Sequence, residues 1–375
     1  METQATKVAP PARPASYDKA VALVLQGGGA LGSYQAGVFQ AIADSEYPPD
    51  WVAGISIGAI NAAIIAGNPL AHRVDRLRAF WESITESAAL WPGLPTGTAK
   101  ADQHLGALHA LWLGQPGFFA PRPVLDWFHG APTSYYDTRP LRATLERLVD
   151  FDRINAREMR FSVGAVNVCT GNFTYFDNAH MKIRPEHVMA SGALPPGFPP
   201  VEIDGELYWD GGLVSNTPLQ YVVEYYPRRS RLTFQVDVFH ASGPPPADLE
   251  DVSEREKDIR YSSRTRVATD TLRTVHNVRH AINELWEMLP EDLRATPAAR
   301  FLASFSCVTT MDIVQLIYRP DDVQGHHKGY DFSRSTMQAR WACGVADANA
   351  TLRASPWLAP MPAELGARTF DVSRT

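Results

Sequence analysis

A strand–turn–helix element near the start of the chain limits the possible folds most strongly. The apolar stretch VALVLQ (21–26) has the composition of a strand buried on both faces, and it stops at three consecutive glycines. The next residues, GSYQAGVFQAIADS (32–45), have the apolar spacing of a helix. A glycine turn between a strand and a helix presents backbone amides to negative charge. Read as G-x-G-x-x-G (Gly27, Gly29, Gly32), the turn is a dinucleotide-binding fingerprint; read as a bare glycine run, it is a cradle for an oxyanion.

Strands and helices alternate along most of the chain. Short apolar runs predict further strands at residues 50–56, 160–171, 173–178, 231–241 and 305–320. Apolar positions at helical spacing predict helices at residues 57–67, 72–87, 139–150, 184–191 and 331–352. This alternation predicts an α/β fold with a parallel or mixed central sheet.

Two further regions flank the predicted α/β part. Residues 1–17 are polar and contain several prolines, which predicts a disordered tail. The stretch GPPPADLEDVSE (243–254) is typical of a linker, and apolar positions at helical spacing follow from residue 257 to residue 289. Because arginines lie among those positions, the helix either turns a basic face to a membrane or docks on the protein with its arginines in solvent.

Composition excludes several classes of protein. The 375 residues carry a formal net charge of −6 and have a pI of about 6.0, whereas nucleic-acid-binding domains usually show a basic footprint. Cys169, Cys307 and Cys343 are far apart and odd in number, which predicts a reducing compartment without disulfides or a zinc site. No secretory signal and no run of about 18 apolar residues is visible. We therefore expect a cytoplasmic protein, with a peripheral membrane contact left open.

The stretch GISIG (54–58) has the pattern of a nucleophile elbow. G-x-S-x-G between a strand and a helix places the serine on a sharp turn at a helix N-terminus, where negative charge is favoured. Both flanks fit, since the apolar run WVAG precedes Ser56 and the apolar helix AINAAIIAG follows it. This context favours Ser56 as a nucleophile over a plain glycine turn.

The second predicted strand decides between the two interpretations of the glycine loop. A dinucleotide site needs an acid at the end of that strand to bind the ribose, and this strand ends at Ser56 instead. Adjacent strand-to-helix turns of a parallel sheet lie on the same edge. The amides of Gly28 and Gly29 are then expected to face an intermediate formed on Ser56.

The sequence DGG (210–212) supplies a candidate base. An Asp-Gly-Gly turn is often only a loop, so Asp210 alone leaves the structural and catalytic roles evenly balanced. Together with the two upstream motifs, the catalytic role is favoured. A carboxylate that is hydrogen-bonded directly to a serine acts as its general base.

Taken together, QGGGALG, GISIG and DGG resemble the patatin-like phospholipase family in motif and in order. The stretch MASGALPPGFPPV (189–201) resembles the family's Ala-Ser-x-Ala-x-Pro-x-x-Phe-x-Pro segment, and Asn216-x-Pro218 also fits. The resemblance covers roughly residues 20–240. One position departs from the family, which often has a basic residue just before the last glycine of the loop, where this chain has Leu31.

The resemblance implies both the fold and the chemistry. It implies a three-layer α/β/α fold with a mostly parallel sheet in a catalytic domain at 18–240, followed by a mainly helical extension with added strands at 241–375. It implies hydrolysis of lipid acyl esters through an acyl-enzyme on a dyad of Ser56 and Asp210, without a histidine, a metal or a cofactor. The implied oxyanion hole consists of Gly27, Gly28 and Gly29, and the supporting motif residues are Gly32, Gly54, Gly58, Gly211 and Gly212.

Several alternatives stay open at this point. A thioesterase or a short-chain esterase would use the same dyad, an NAD(P)-dependent oxidoreductase would use the G-x-G-x-x-G loop, and a non-catalytic lipid-binding scaffold would need neither Ser56 nor Asp210. The segment 88–135 is dense in Trp and Phe, and it is expected to form either a lid or acyl-chain wall or part of the core.

Overall fold

A computed structural model of the chain describes residues 12–85, 114–123, 132–320 and 328–372. The strands within these residues are β1 (Ala20–Leu25), β2 (Trp51–Gly54), β3 (Ala120–Pro121), β4 (Tyr136–Asp137), β5 (Arg160–Asn167), β6 (Phe173–Asp177), β7 (Val201–Ile203), β8 (Glu206–Asp210), β9 (Arg231–Asp237), β10 (Met311–Ile317) and β11 (Ala367–Phe370). The helices are α1 (Gly32–Ala43), α2 (Ile57–Ala66), α3 (Leu70–Ser83), α4 (Arg139–Leu148), α5 (Phe151–Asn155), α6 (Pro185–Ser191), α7 (Leu219–Glu224), α8 (Leu249–Met288), α9 (Glu291–Arg294), α10 (Pro297–Ala303) and α11 (Arg334–Ala354).

Nine of these strands form one mixed sheet. Its order is β11-β10-β9-β1-β2-β5-β8-β7, with β6 also paired to β5. The strands from β11 to β5 are parallel to their neighbours, whereas β6, β7 and β8 pair antiparallel. The prediction of an α/β fold with a mostly parallel sheet is confirmed.

Helices cover both faces of the sheet, and the alternation of side chains along β1 shows how. Leu23 and Leu25 belong to a hydrophobic cluster with residues of α1, α2, α3 and α11. Ala22 and Val24 belong to a second cluster with residues of α7 and with Leu272 of α8. Because successive side chains of a strand point to opposite faces, the sheet is the middle layer of three.

The region after residue 240 continues this architecture, because β10 pairs with β9 and β11 pairs with β10. Helix α8 begins at Leu249, inside the predicted linker 243–254, and runs without interruption to Met288. Four of its buried positions follow a helical period and face the sheet: Thr265, Thr269, Leu272 and His276. The docked-helix alternative therefore describes this stretch. A mainly helical C-terminal region with added strands is confirmed, while the division at residue 240 stays a prediction.

The other C-terminal helix, α11, packs against α1, which follows the glycine loop. A Cβ added to Gly37 would lie 2.0 Å from the carbonyl oxygen of Trp341, and one added to Gly344 would lie 2.2 Å from that of Tyr34. The two helices thus touch backbone to backbone, and only glycine permits this approach.

Some sequence predictions fall on parts of the chain that lie outside the described residues. These parts include residues 1–11 of the predicted tail and Trp91, Trp112, Trp127 and Phe128 of the aromatic segment. Two described aromatics of that segment, Phe118 and Phe119, are buried; Phe118 packs edge-on against Phe198, and Phe119 packs against the same ring at a tilt. None of the helices described here is both long enough and apolar enough to cross a bilayer.

Candidate active site

Ser56 lies on the turn between β2 and α2 in a conformation that non-glycine residues rarely adopt. Its φ is 56° and its ψ is −123°, an arrangement that costs about 1–3 kcal/mol for a residue with a Cβ. The flanking glycines permit the turn, since a Cβ on Gly54 would lie 2.2 Å from the carbonyl oxygen of Gly58 and one on Gly58 would lie 2.4 Å from that of Leu25. Local strain at one serine is typical of a nucleophile elbow.

The sheet register brings Asp210 to the same place. Strand β5 pairs with β2 up to Val163, which lies opposite Gly54, and with β8 from Ala165, which lies opposite Asp210. Because β6 pairs with the other edge of β5 from Ser162 to Val166, β8 takes over the edge where β2 ends. The last residue of β8 therefore arrives beside the elbow that follows β2.

The Asp210 carboxylate interacts with the Ser56 side chain. The buried carboxylate accepts a hydrogen bond from the backbone N–H of Gly212 at 2.7 Å, and the Ser56 hydroxyl lies near enough to lower its pKa. Burial raises the pKa of Asp210 to about 6, against the lowering effect of these two donors. The carboxyl group is thus more basic than an ordinary aspartate and is still ionised at neutral pH.

The end of α6 and the residues after it hold the backbones of both residues. The Ser56 N–H donates to the Ser191 carbonyl oxygen and to its hydroxyl, each at 3.1 Å. The Asp210 N–H donates to the carbonyl oxygen of Ala193 at 3.0 Å. Both acceptors, Ser191 and Ala193, belong to the sequence motif MASGALPPGFPPV, but the motif alone does not indicate a role for either residue.

The glycine loop lies against the serine. A Cβ added to Gly27 would be 3.1 Å from the Ser56 Cβ. Gly27 is bracketed by Asn216, whose carbonyl oxygen accepts the Gly27 N–H at 3.1 Å and whose Nδ2 donates to the Gly27 carbonyl oxygen at 2.9 Å. Gly27 is one of the three predicted oxyanion donors, but its backbone N–H is already hydrogen-bonded to Asn216. The amides of Gly28 and Gly29 have no acceptor in the described part of the chain.

The remaining motif residues have packing or turn roles. A Cβ on Gly32 would lie 2.6 Å from Cγ1 of Ile57, so Gly32 lets α1 approach α2 closely. A Cβ on Gly211 would lie 2.6 Å from the carbonyl oxygen of Gly164. Leu31, the position that departs from the family pattern, is fully buried in the core.

The described residues place neither a histidine nor a metal-binding group beside Ser56 and Asp210. Within residues 12–85, 114–123, 132–320 and 328–372, no histidine is hydrogen-bonded to Ser56 or Asp210. His326 and His327 lie outside those ranges. The same ranges hold no group of three or more side chains suited to a metal ion.

Comparison with known families agrees with the motif order. The model of the patatin-like phospholipase family matches residues 23–223, which is more than half of the chain. The chain belongs to this family. A second model, described as patatin phospholipase, matches residues 259–364, so the C-terminal region also has counterparts among patatin-like proteins.

The curated relatives are much longer proteins. Lysophospholipase NTE1 of Yarrowia lipolytica is 26% identical over 220 residues, which is 59% of this chain and 13% of that protein. Lysophospholipase NTE1 of Saccharomyces cerevisiae is 27% identical over 241 residues, or 62% of this chain and 12% of that protein. The chain thus spans about an eighth of their length. Among solved structures, VipD from Legionella pneumophila matches with a TM-score of 0.39 and 13% identity, covering 95% of this chain and 72% of that one.

Proposed function

We propose that the protein is a serine lipid acyl hydrolase that cleaves carboxylic esters of lipids with Ser56 as nucleophile and Asp210 as general base. The observation that carries the proposal is the placement of the strained Ser56 beside the buried Asp210 carboxylate, whose pKa the Ser56 hydroxyl lowers. Membership of the patatin-like phospholipase family supports lipid ester hydrolysis as the reaction.

Acylation follows from this geometry. The Ser56 Oγ attacks the ester carbonyl carbon while its proton passes to Asp210. The carbonyl oxygen becomes a tetrahedral oxyanion, which accepts hydrogen bonds from the amides of Gly28 and Gly29. When the intermediate collapses, the bond to the leaving oxygen breaks, and the protonated Asp210 gives its proton to the departing alcohol. The product of this half-reaction is an ester between the acyl chain and Ser56.

Deacylation repeats the same steps with water. Asp210 takes a proton from a water molecule that attacks the acyl-enzyme, and the oxyanion forms again at the same two amides. Collapse of this intermediate returns the proton to Ser56 and releases a carboxylic acid. Atoms and charges balance without a metal ion or a cofactor.

The environment of the carboxylate suits this cycle. With a pKa of about 6, Asp210 is ionised at neutral pH and still binds a proton more tightly than an exposed aspartate does. In this proposal Gly27 gives the loop its close approach to Ser56, while Gly28 and Gly29 supply the hydrogen bonds.

The test is hydrolysis of a lipid panel with mass-spectrometric identification of products, comparing the wild type with Ser56→Ala. We expect free fatty acid from the wild type and none above background from the folded variant. Preference for thioesters or short esters would move the assignment to a thioesterase or short-chain esterase with the same dyad. Tight NAD(P) binding without inactivation by a serine-reactive organophosphonate would instead favour an oxidoreductase.

A further inference from the structure

A short segment of the C-terminal region lies directly on the glycine loop. The carbonyl oxygen of Gly329 accepts the backbone N–H of Ala30 at 2.8 Å. Contact is so close that a Cβ added to Gly29 would lie 2.3 Å from the same oxygen. The segment Lys328–Tyr330 therefore touches the loop at the residue that follows the two amides without acceptors.

Buried charges hold this segment in place. The ammonium of Lys328 lies 2.6 Å from a carboxylate oxygen of Asp258 and 3.0 Å from one of Glu254, both on α8. All three side chains are at least nine-tenths buried. From the other side, the buried guanidinium of Arg340 on α11 donates to the carbonyl oxygens of Lys328 at 3.0 Å and of Asp331 at 3.2 Å.

Helix α8 makes a second contact with the start of the loop. The Gln26 side-chain amide donates to the Thr265 hydroxyl at 3.0 Å, and its carbonyl oxygen accepts the N–H of Val238 at 2.7 Å. The loop is thus held at both ends, by Thr265 before the glycines and by Gly329 after them. A buried ion pair adds little net stability, but it fixes a position strictly, because moving either partner leaves an uncompensated charge.

We propose that Lys328–Tyr330 is a positioning element of the active site, in which the Gly329 carbonyl fixes the glycine loop so that the amides of Gly28 and Gly29 reach the oxyanion. The C-terminal region is then part of the catalytic unit. This inference rests on the function proposed above. Lys328, through its ion pairs, sets the position of the carbonyl and does not touch the substrate.

The test removes the ammonium of Lys328 and compares the effect on activity with that of removing another lysine that pairs with a buried carboxylate. In Lys328→Met, we expect kcat to fall about 10- to 100-fold, as for a displaced oxyanion donor, with KM within about twofold. Inactivation by a fluorophosphonate, whose adduct mimics the tetrahedral oxyanion, should slow by the same factor. Lys19→Met is the control for loss of a lysine from a buried carboxylate: Lys19 pairs with Asp312 at 2.7 Å where β1 and β10 begin, and Asp312 keeps Arg368 at 2.6 Å.

The outcomes separate the two proposals. An active wild type with normal kcat in folded Lys328→Met, or an equal loss in Lys19→Met, would overturn the positioning role alone. A wild type that hydrolyses no ester would overturn the proposed function. If Lys328→Met does not fold, a triple variant is used instead: Lys328→Met with Glu254→Gln and Asp258→Asn. It removes all three buried charges together, and we expect the same loss of kcat.

A different observation, a half-buried lysine without an ion pair among the described residues, points to the substrate. Lys257 of α8 is half-buried, and its ammonium lies 5.8 Å from the centre of the Tyr330 ring. Within the described ranges no carboxylate forms an ion pair with it, since Glu256 pairs with Arg260 and Glu254 with Lys328. Desolvation and the nearby Lys328 and Arg260 lower the pKa of Lys257, against the raising effect of Glu256 and Glu254, so an anionic ligand would stabilise its charged form.

Tyr330 connects this cation to the active site. It follows Gly329, which touches the glycine loop. Burial raises the pKa of Tyr330, and the charges of Tyr261 and Asp210 raise it further. Through the Tyr330 ring, the ammonium of Lys257 therefore adjoins the segment that touches the glycine loop.

We infer that Lys257 binds an anionic group carried by the ester substrate, a role that the apolar, buried side chain of Leu31 does not fill. This inference also rests on the proposed function. The substrates for the test are lysophosphatidic acid, an O-acyl lactate and a monoacylglycerol with one acyl chain in common, which carry a phosphate, a carboxylate and no charge. In Lys257→Gln, we expect kcat/KM for an anionic substrate to fall about tenfold through KM, with the neutral ester within about twofold.

Arg260→Gln is the control, because Arg260 is on the same helix, exposed, and paired with Glu256. A loss for both anionic substrates supports recognition of charge, and a loss for lysophosphatidic acid alone supports recognition of phosphate. Equal losses on all three substrates, or no loss on either anion, would overturn the role of Lys257. Inactivity of the wild type on all three would overturn the proposed function.

Discussion

Replacing Asp210 by asparagine should abolish turnover and yet make the protein more stable at neutral and alkaline pH. Asparagine keeps the size of the side chain and an oxygen that accepts the hydrogen bond from Gly212. It removes the base and the buried negative charge. Loss of activity with a gain in stability is a combination that a merely structural role for Asp210 would not produce.

The magnitude follows from the pKa. The native state raises the pKa of Asp210 from 3.8 to about 6, which corresponds to about 3 kcal/mol at about 1.4 kcal/mol per pKa unit. Because the folded pKa is the higher one, the protonated form is favoured by folding, and stability is lost as pH rises through about 6. Asp210→Asn should therefore gain about 3 kcal/mol at pH 8, about half of that near pH 5, and little below pH 4.

The assay combines p-nitrophenyl ester turnover with thermal unfolding at pH 5 and pH 8. Asp237→Asn is the control, because Asp237 is also fully buried, at the end of β9, and burial raises its pKa to about 7. We expect Asp237→Asn to gain stability at pH 8 and to keep turnover. Near-normal turnover in Asp210→Asn would refute the role of general base, and the absence of any stability gain at pH 8 would refute the buried charge.

Three further predictions concern the same site. In the wild type, kcat/KM should rise with pH through a midpoint of about 6, because Asp210 must be ionised to accept a proton; a midpoint near 4 would argue against a buried base. Ser56→Gly should be about 1 kcal/mol more stable than Ser56→Ala in thermal unfolding, because φ is 56° there; equal stability would mean that the elbow is unstrained. Asn216→Ala should lower kcat about tenfold, because the Gly27 carbonyl loses its donor and the loop loosens; unchanged kcat in a folded variant would contradict this.

The parts of the fold that sequence could predict are those set by local pattern. The apolar runs of β1 and β2, the glycine turns after them and the small-residue helix α2 lie within residues 20–66. Their order alone brings the glycine loop and Ser56 to one sheet edge, since parallel strands share the direction of their carboxyl ends.

The rest depends on contacts between distant parts of the chain. Gly329 lies 299 residues after Ala30, and nothing in the letters KGY marks it as a partner of the glycine loop. The start of α8 was visible in principle, because Asp248 accepts the N–H of Asp251 at 2.8 Å as an N-cap residue. The prolines before it favoured a linker instead. Strand β11 is a four-residue edge strand without an apolar run, so no periodicity marked it.

The most direct test of the account is the site of covalent modification. The protein is treated with a fluorophosphonate and digested, and the adduct is located by peptide mass spectrometry. We expect one adduct, on Ser56, formed at least about a hundredfold more slowly in Asp210→Asn and absent from Ser56→Ala. Ester hydrolysis that continues with Ser56 unmodified, or an adduct on another serine, would contradict the assignment of the nucleophile.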